Sequence, residues 1–182
     1  FDVILVETVG VGQSETSVAD MVDMFIVLLS PGGGDELQGI KRGVMELADL
    51  VIVNKADGDL LGPARRAQAD YRAALHLMRP KFDEWVPRVL LASALNSHGL
   101  EDIWRQVQAF WASLREAGTL RTLRARQSVA WMWSEVEEGL KAAFLESSDV
   151  ASIIDKIEQD VAKGEKPAGQ AANELLKAFR RS

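Results

Sequence analysis

Four short apolar runs mark the first half of the chain: residues 3–6 (VILV), 24–29 (MFIVLL), 50–53 (LVIV) and 89–92 (VLLA). Each is continuously hydrophobic and does not alternate with polar residues. That pattern suits strands of a parallel sheet covered on both faces, and not a sheet with one wet side. Helical spacing lies between and after them. Tyr71, Ala74, Leu75 and Met78 form one stripe; Leu100, Ile103, Trp104, Val107, Trp111 and Leu114 form a second at intervals of three and four. Strands alternating with amphipathic helices predict an α/β layered fold with a mostly parallel sheet. After Gly118 the strand signal stops, and residues 121–146, 150–162 and 167–181 read as helices, with Pro167 suited to a helix start. Their stripes, Val129, Met132, Val136, Leu140 and Phe144, then Ile153, Ile154, Ile157 and Val161, need a surface to cover. Periodicity leaves two choices open, the α/β body or a second copy of the chain. The expected division is residues 1–118 for the α/β domain and 119–182 for a helical arm.

Composition narrows the chemistry. The chain has 182 residues, 47% of them hydrophobic and 26% charged, enough to bury a core. It has no cysteine, so disulfides, thiolate zinc sites and cysteine nucleophiles are excluded, and two histidines leave little for a histidine-built metal site. The formal net charge is −6, and neither the α/β part nor the helical part carries a basic excess, so nucleic acid is not an expected partner. No apolar run approaches the roughly 18 residues of a membrane span. The chain starts on Phe1, inside an apolar run and without a methionine, so the expectation is that further residues precede it.

Three strand-end segments carry candidate chemistry. Asn54-Lys55-Ala56-Asp57 follows the run at 50–53, and the carboxyl ends of parallel strands are where such sheets bind ligands. An Asp there can accept two hydrogen bonds from the ring and exocyclic nitrogens of guanine, which adenine does not offer. The Asn ties neighbouring loops and the Lys stem lies over the base. Ser93-Ala94-Leu95 follows the next run, where a backbone N–H can reach the guanine keto oxygen. Either segment alone is weak; both, in this order on consecutive strand ends, point to guanine. The third is Glu7-Thr8-Val9-Gly10-Val11-Gly12-Gln13-Ser14-Glu15. Glu7 is placed to hold Mg²⁺ directly or through water, and Gly10 lets a backbone N–H approach a terminal phosphate. Small regulatory GTPases carry a water-orienting glutamine directly after this glycine. Here the position holds Val11, so intrinsic hydrolysis is expected to be slow, and Gln13 stands two residues away.

Ser30 to Gly43 (SPGGGDELQGIKRG) imitates a phosphate loop without being one. Gly34 and Gly39 have the GxxxxG spacing, but Ile40 follows where Lys is required, and nowhere in the chain does Lys precede Ser or Thr. The segment reads as a glycine-rich loop entering a weak helix whose inward face is Leu37, Ile40, Val44 and Leu47. Such an element beside a nucleotide suits switching. His76 and His98 read as surface or structural residues, and Trp131 and Trp133 lie on opposite sides of one helix.

Together ETVGVGQSE, SPGGGDELQGIKRG, NKAD and SAL closely resemble the methylmalonyl-CoA mutase-associated GTPases of the MeaB type, also labelled ArgK-like, over essentially the whole chain. The resemblance implies a P-loop GTPase domain followed by an α-helical arm through which the protein forms a homodimer. It further implies a chaperone that gates cofactor delivery to an adenosylcobalamin-dependent acyl-CoA mutase and protects that enzyme, turning GTP into GDP and phosphate with Mg²⁺. Bacterial members are cytoplasmic and eukaryotic ones mitochondrial. By position, Glu7 belongs to the Mg²⁺ site and Gly10 to the second switch. Asn54, Lys55 and Asp57 bind guanine, with Ser93, Ala94 and Leu95 beside the base. The stretch from Pro31 to Lys41 becomes an additional switch facing the mutase, in which Gln38 and Lys41 are candidates for the hydrolytic help that Val11 cannot give. The family's Walker A loop, with its Lys and Ser/Thr, is missing from these 182 residues, so this polypeptide alone is expected neither to bind GTP tightly nor to hydrolyse it. The alternatives are a non-catalytic interaction or dimerisation module and a nickel-insertion GTPase. The latter relies on Cys/His metal sites that this composition does not supply. Kinase activity toward a transport protein, which the older label suggests, finds no adenine-reading site.

Overall fold

The computed structural model describes residues 1–8, 18–31 and 42–180. Gly10, Val11, Gln13, Gln38 and Lys41 lie outside them. Three strands form one parallel sheet in the order β1 (Ile26–Leu29), β2 (Leu50–Val53), β3 (Arg88–Leu91). The registers run from Ile26 opposite Leu50 to Leu29 opposite Val53, and from Leu50 opposite Arg88 to Val53 opposite Leu91. All four β2 residues are buried, as a central strand covered on both faces requires. Helices α1 (Arg42–Leu47) and α2 (Leu61–His76) fill the connections, with a 3₁₀ turn at Gly58–Leu60 leading into α2.

The pleat sends alternate residues to opposite faces, and two cores result. On one face Val27, Val51, Val53 and Val89 meet Met45, Ala48, Ala64, Tyr71 and Leu75 of the α1 and α2 layer. On the other, Leu50, Ile52 and Ala92 meet Ile103 of α3 (Leu100–Glu116). A third cluster lies at the strand entrances: Phe110 packs in T-shaped pairs with Phe82 and Trp85 at centroid distances of 5.8 and 5.2 Å, with Leu114 and Leu120 closing it. Each fully buried aliphatic here is worth about 1.5–3 kcal/mol over its exposed state.

Two expectations change. Residues 3–6 form no strand: Val3, Ile4, Leu5 and Val6 are exposed, Leu5 at 88%. A strand exists only as one side of a ladder, and this segment meets no pairing partner among the described residues, so apolar content alone does not make it one. In α3 the predicted stripe is only partly inward. Phe110 and Leu114 are buried and Ile103 half-buried, while Leu100, Trp104 and Trp111 are exposed. At about 100° per residue the two tryptophans fall beside the line through Phe110 and Leu114, and only that line faces the interior.

After α3 come only helices among the described residues: α4 (Thr119–Glu146), α5 (Ser148–Ala151), α6 (Ile154–Ala162) and α7 (Ala168–Phe179). The chain divides into two compact units, Phe1–Gln127 and Ser128–Ser182. The first unit holds the sheet and ends within α4, where Arg124 grips the Asp23 carboxylate with two hydrogen bonds of 2.9 and 2.6 Å. In the second unit Val150, Ile157 and Ala171 are buried, Phe144 meets Phe179 edge to face at 5.4 Å, and Lys166 pairs with Glu174 at 2.7 Å. Pro167 stands as the residue before α7, its fixed φ starting the helix.

Candidate guanine-binding site

The candidate residues at the ends of β2 and β3 come together because neighbouring parallel strands deliver their loops to the same edge of the sheet. The ladder continues past the strands: the Ala92 N–H donates to the Val53 carbonyl at 2.9 Å and the Ala56 N–H to the Ala92 carbonyl at 2.8 Å. Asn54 is half-buried. Its backbone N–H donates to Leu29 of β1 at 2.8 Å, while its side-chain Oδ1 accepts from the Ala94 N–H at 3.0 Å. One residue thus ties three strand ends together. Ser93 is fully buried; its hydroxyl donates to Asp57 Oδ2 and accepts from the Asn96 N–H at 3.1 Å. The hydroxyl therefore fixes the Asp57 carboxylate, and Ser93 acts here as a positioning residue.

Lys55 adopts φ of +57°, in the left-handed region that costs a residue with a Cβ about 1 kcal/mol or more. That conformation turns the chain between Asn54 and Asp57, and the Lys55 side chain remains exposed. On the facing loop, Ala94 and Leu95 are exposed, Leu95 at 85%. This loop is closed by a reciprocal backbone pair between Ser93 and His98, both bonds 3.0 Å, and by Gly99 at φ of +78°. A Cβ on Gly99 would collide with the Leu91 carbonyl oxygen, so only glycine fits.

The result is a rigid polar edge with a carboxylate held from one side, an exposed Lys stem and an exposed loop of small and apolar residues. It can read a planar base bearing adjacent N–H donors: Asp57 accepts from them, and an alkyl stem and Leu95 can sandwich the ring. Sequence reading missed Gly99 and the Ser93 hydroxyl as shapers of this edge. Their signals were a glycine directly before a helix and a serine at a strand end.

Glu7 sits in the segment at residues 1–8, outside any helix or strand, and is exposed. Among the described residues no group of three Asp, Glu or His side chains converges on a point that could hold a metal ion. Glu7 could supply one carboxylate, as is usual where Mg²⁺ takes its remaining ligands from phosphates and water. The described residues do not make a magnesium site on their own, and no chemical step is assigned through it.

At the opposite, entry end of β2 lies Asp49, which is fully buried. Its Oδ2 accepts from the Phe25 N–H at 2.8 Å, its own N–H donates to the Phe25 carbonyl at 2.8 Å, and its carbonyl accepts from Trp85 Nε1 at 2.7 Å. Lys81 stands 3.7 Å from Oδ2, while Oδ1 has no hydrogen-bond partner. Burial pushes the Asp49 carboxyl up to about 6, against the opposing pull of Lys81 and of the Phe25 hydrogen bond.

The model of the family described as "Methylmalonyl Co-A mutase-associated GTPase MeaB" matches residues 1–149. The chain belongs to this family. Among its relatives, the mitochondrial methylmalonic aciduria type A homolog of Mus musculus is 47% identical over 99% of this chain and 43% of its own length. GTPase ArgK of Escherichia coli K12 is 52% identical over 76% of this chain and 42% of its own length. A solved structure, the crystal structure of an LAO/AO transport system kinase, superposes with a TM-score of 0.73 at 38% identity, covering 96% of this chain and 56% of that one. The chain thus spans about half the length of the curated relatives it matches. The MeaB-family chain has the fold of part of a P-loop GTPase domain, a parallel sheet with flanking helices followed by a helical region. Among its described residues no helix is long and apolar enough to cross a membrane.

Proposed function

We propose that this chain is the base-reading and helical part of a GTPase that chaperones an adenosylcobalamin-dependent acyl-CoA mutase, gating cofactor delivery and protecting the mutase. One observation carries the guanine reading: two consecutive strand-end loops locked together, Asn54 to Ala94 and Asp57 to Ser93, with Lys55, Ala94 and Leu95 open to a ligand. Membership of a mutase-associated GTPase family supports the partner. In this reading Asn54, Lys55 and Asp57 bind guanine, with Ser93 orienting Asp57 and Ala94 and Leu95 beside the base. Glu7 gives one carboxylate to the Mg²⁺ that accompanies the nucleotide. Gly10 lies at the terminal phosphate, and Gln38 and Lys41 assist hydrolysis when the mutase docks. The place of action is the cytoplasm of a bacterium, or the mitochondrial matrix if the source is eukaryotic.

The division into a GTPase part at 1–118 and a dimerising arm at 119–182 belongs to the same proposal. Val129, Met132, Val136 and Leu140 are each at least 41% exposed, and an apolar helix stripe of this kind supports an arm covered by a second copy. The same stripe also favours the second reading, a module that only dimerises or binds partners.

The test separates the two. Amide chemical shifts of the 182-residue chain are followed during titration with guanosine, adenosine and GDP. Shifts at Lys55, Ala94 and Leu95 with guanosine and not adenosine support the first reading. Equal response to both nucleosides, or none, leaves the second. GTP turnover by this chain at the rate of a full-length relative would contradict the expected dependence on a Walker A segment.

A further inference from the structure

At the strand-entry end of the sheet, remote from the guanine-reading loops along β2 and β3, the first unit has a cleft of about 280 Å³. Its floor is apolar: Met45 comes from α1 and Ala48 from just after it, Leu75 from the end of α2 and Met78 from just after it, and Val86 and Pro87 from the approach to β3. Its rim carries two cations, Arg79 and Lys81, with the His76 imidazole beside them, against one acidic lining residue, Glu46. Arg72 lies one helical turn before His76, on the same face of α2. Among the described residues Arg72, His76 and Arg79 have no ion-pair partner, in a chain whose net charge is −6. Lys81 reaches inward to Asp49 at 3.7 Å and also lines the cleft, so it can turn part of its charge toward an incoming anion.

We propose that this cleft docks an acidic segment of a partner protein, one apolar side chain entering between Leu75, Met78 and Val86 while its flanking carboxylates meet His76, Arg79 and Lys81. Size and charge choose that occupant. Small-molecule sites enclose roughly 300–1,000 Å³; a cleft of about 280 Å³, just below that range and flanked by Arg72 and Arg79, suits one anchoring side chain of an extended chain. Arg79 and Lys81 beside an apolar floor select an acidic polypeptide carrying an apolar side chain, since a phosphate backbone offers the charge but no aliphatic side chain to fill the floor. Val86 is 67% exposed beside Arg79, so apolar contact and charge stand side by side at the mouth, the arrangement of an anchor with a polar rim. The site is independent of the guanine reading, since no residue is shared between them.

The probe is a short fluorescein-labelled peptide with one central leucine among glutamates and aspartates, titrated against the whole 182-residue chain at low salt and read by anisotropy and amide shifts. Shifts should fall on Met45 to Ala48, Leu75 to Lys81 and Val86. Replacing the leucine by alanine should weaken binding, as should added salt. Arg79→Glu should weaken it about tenfold, equivalent to about 1.4 kcal/mol. Val86→Asp should do the same from the apolar side. Both positions are exposed, so an unchanged melting temperature confirms that the variants fold. Binding with no shifts in these segments, affinity indifferent to Arg79→Glu, or no binding at millimolar peptide would overturn the proposal. Tighter binding of a short single-stranded RNA at the same residues would replace the protein partner by nucleic acid and equally overturn it.

Discussion

Two aspartates bracket the central strand, and their environments are opposite. Asp49 precedes β2, is completely buried and has one oxygen without a partner; Asp57 follows β2, is half-buried and is held by the Ser93 hydroxyl. Both tie chain segments together. Asp49 binds the start of β1 and the Lys81 to Trp85 loop, where no ligand reaches it, and its carboxyl is raised by desolvation. Asp57 is fixed from one side only, which keeps acceptor capacity for a ligand. The contrast separates a sealed carboxylate from an accessible one: burial on every side makes a staple, while a carboxylate held from one side keeps an oxygen open to a ligand.

The comparison can be broken at several points, the largest effect first. Gly99→Val places a side chain against the Leu91 carbonyl at a positive φ and should cost more than about 3 kcal/mol, seen as a lower denaturation midpoint with the Ser93 to His98 loop loosened in hydrogen exchange. The Asp49 staple should reveal itself through pH. Its folded value of about 6 lies above the 3.8 of an unperturbed aspartate, so the folded state holds the proton more tightly. Stability from this group is then complete below pH 3.8 and lost as pH rises through about 6, a swing of about 3 kcal/mol. Asp49→Asn should flatten that part of the stability profile in urea melts between acid and neutral pH; an unchanged slope would mean that Asp49 is not the group responsible.

Asp57→Asn should move base preference from guanosine toward xanthosine by on the order of a hundredfold, because the amide donates where the carboxylate accepted. Loss of both bases together would instead indicate that the loop collapsed. The smallest change sharpens the contrast most. Lys55→Gly removes the conformational cost of a positive φ and should stabilise the fold by up to about 1 kcal/mol, while weakening guanosine binding. If stability fell and binding held, the strained backbone at Lys55 would have no link to recognition.

Much of this was legible in the chain. Residues 50–53 were read as a strand and form β2 to the residue, because a continuous Val/Ile/Leu run fits only a covered central position. The runs at 24–29 and 89–92 shortened or moved by a residue or two, since ladder pairing, not hydropathy, ends a strand. The run at 3–6 forms no strand for the same reason: hydropathy is present and, among the described residues, a pairing partner is not. Trp104 and Trp111 were placed inward by periodicity that cannot say how wide a face the sheet will cover. At the guanine loops the sequence supplied residue types and order. It could not show that the Ser93 hydroxyl would hold Asp57, because that depends on two strand ends lying side by side.

Sequence alone determined the parallel α/β class, the helical region after Gly118, the lack of any Walker A lysine and the family, since these rest on local pattern and residue identity. Tertiary structure alone decided that Asn54 joins three strand ends, that Asp49 is sealed from water with its carboxyl raised, and that the cations at the end of α2 surround an apolar cleft. Those properties arise from residues far apart in the chain meeting at a fixed distance, and burial and field are functions of that distance, not of order along the chain.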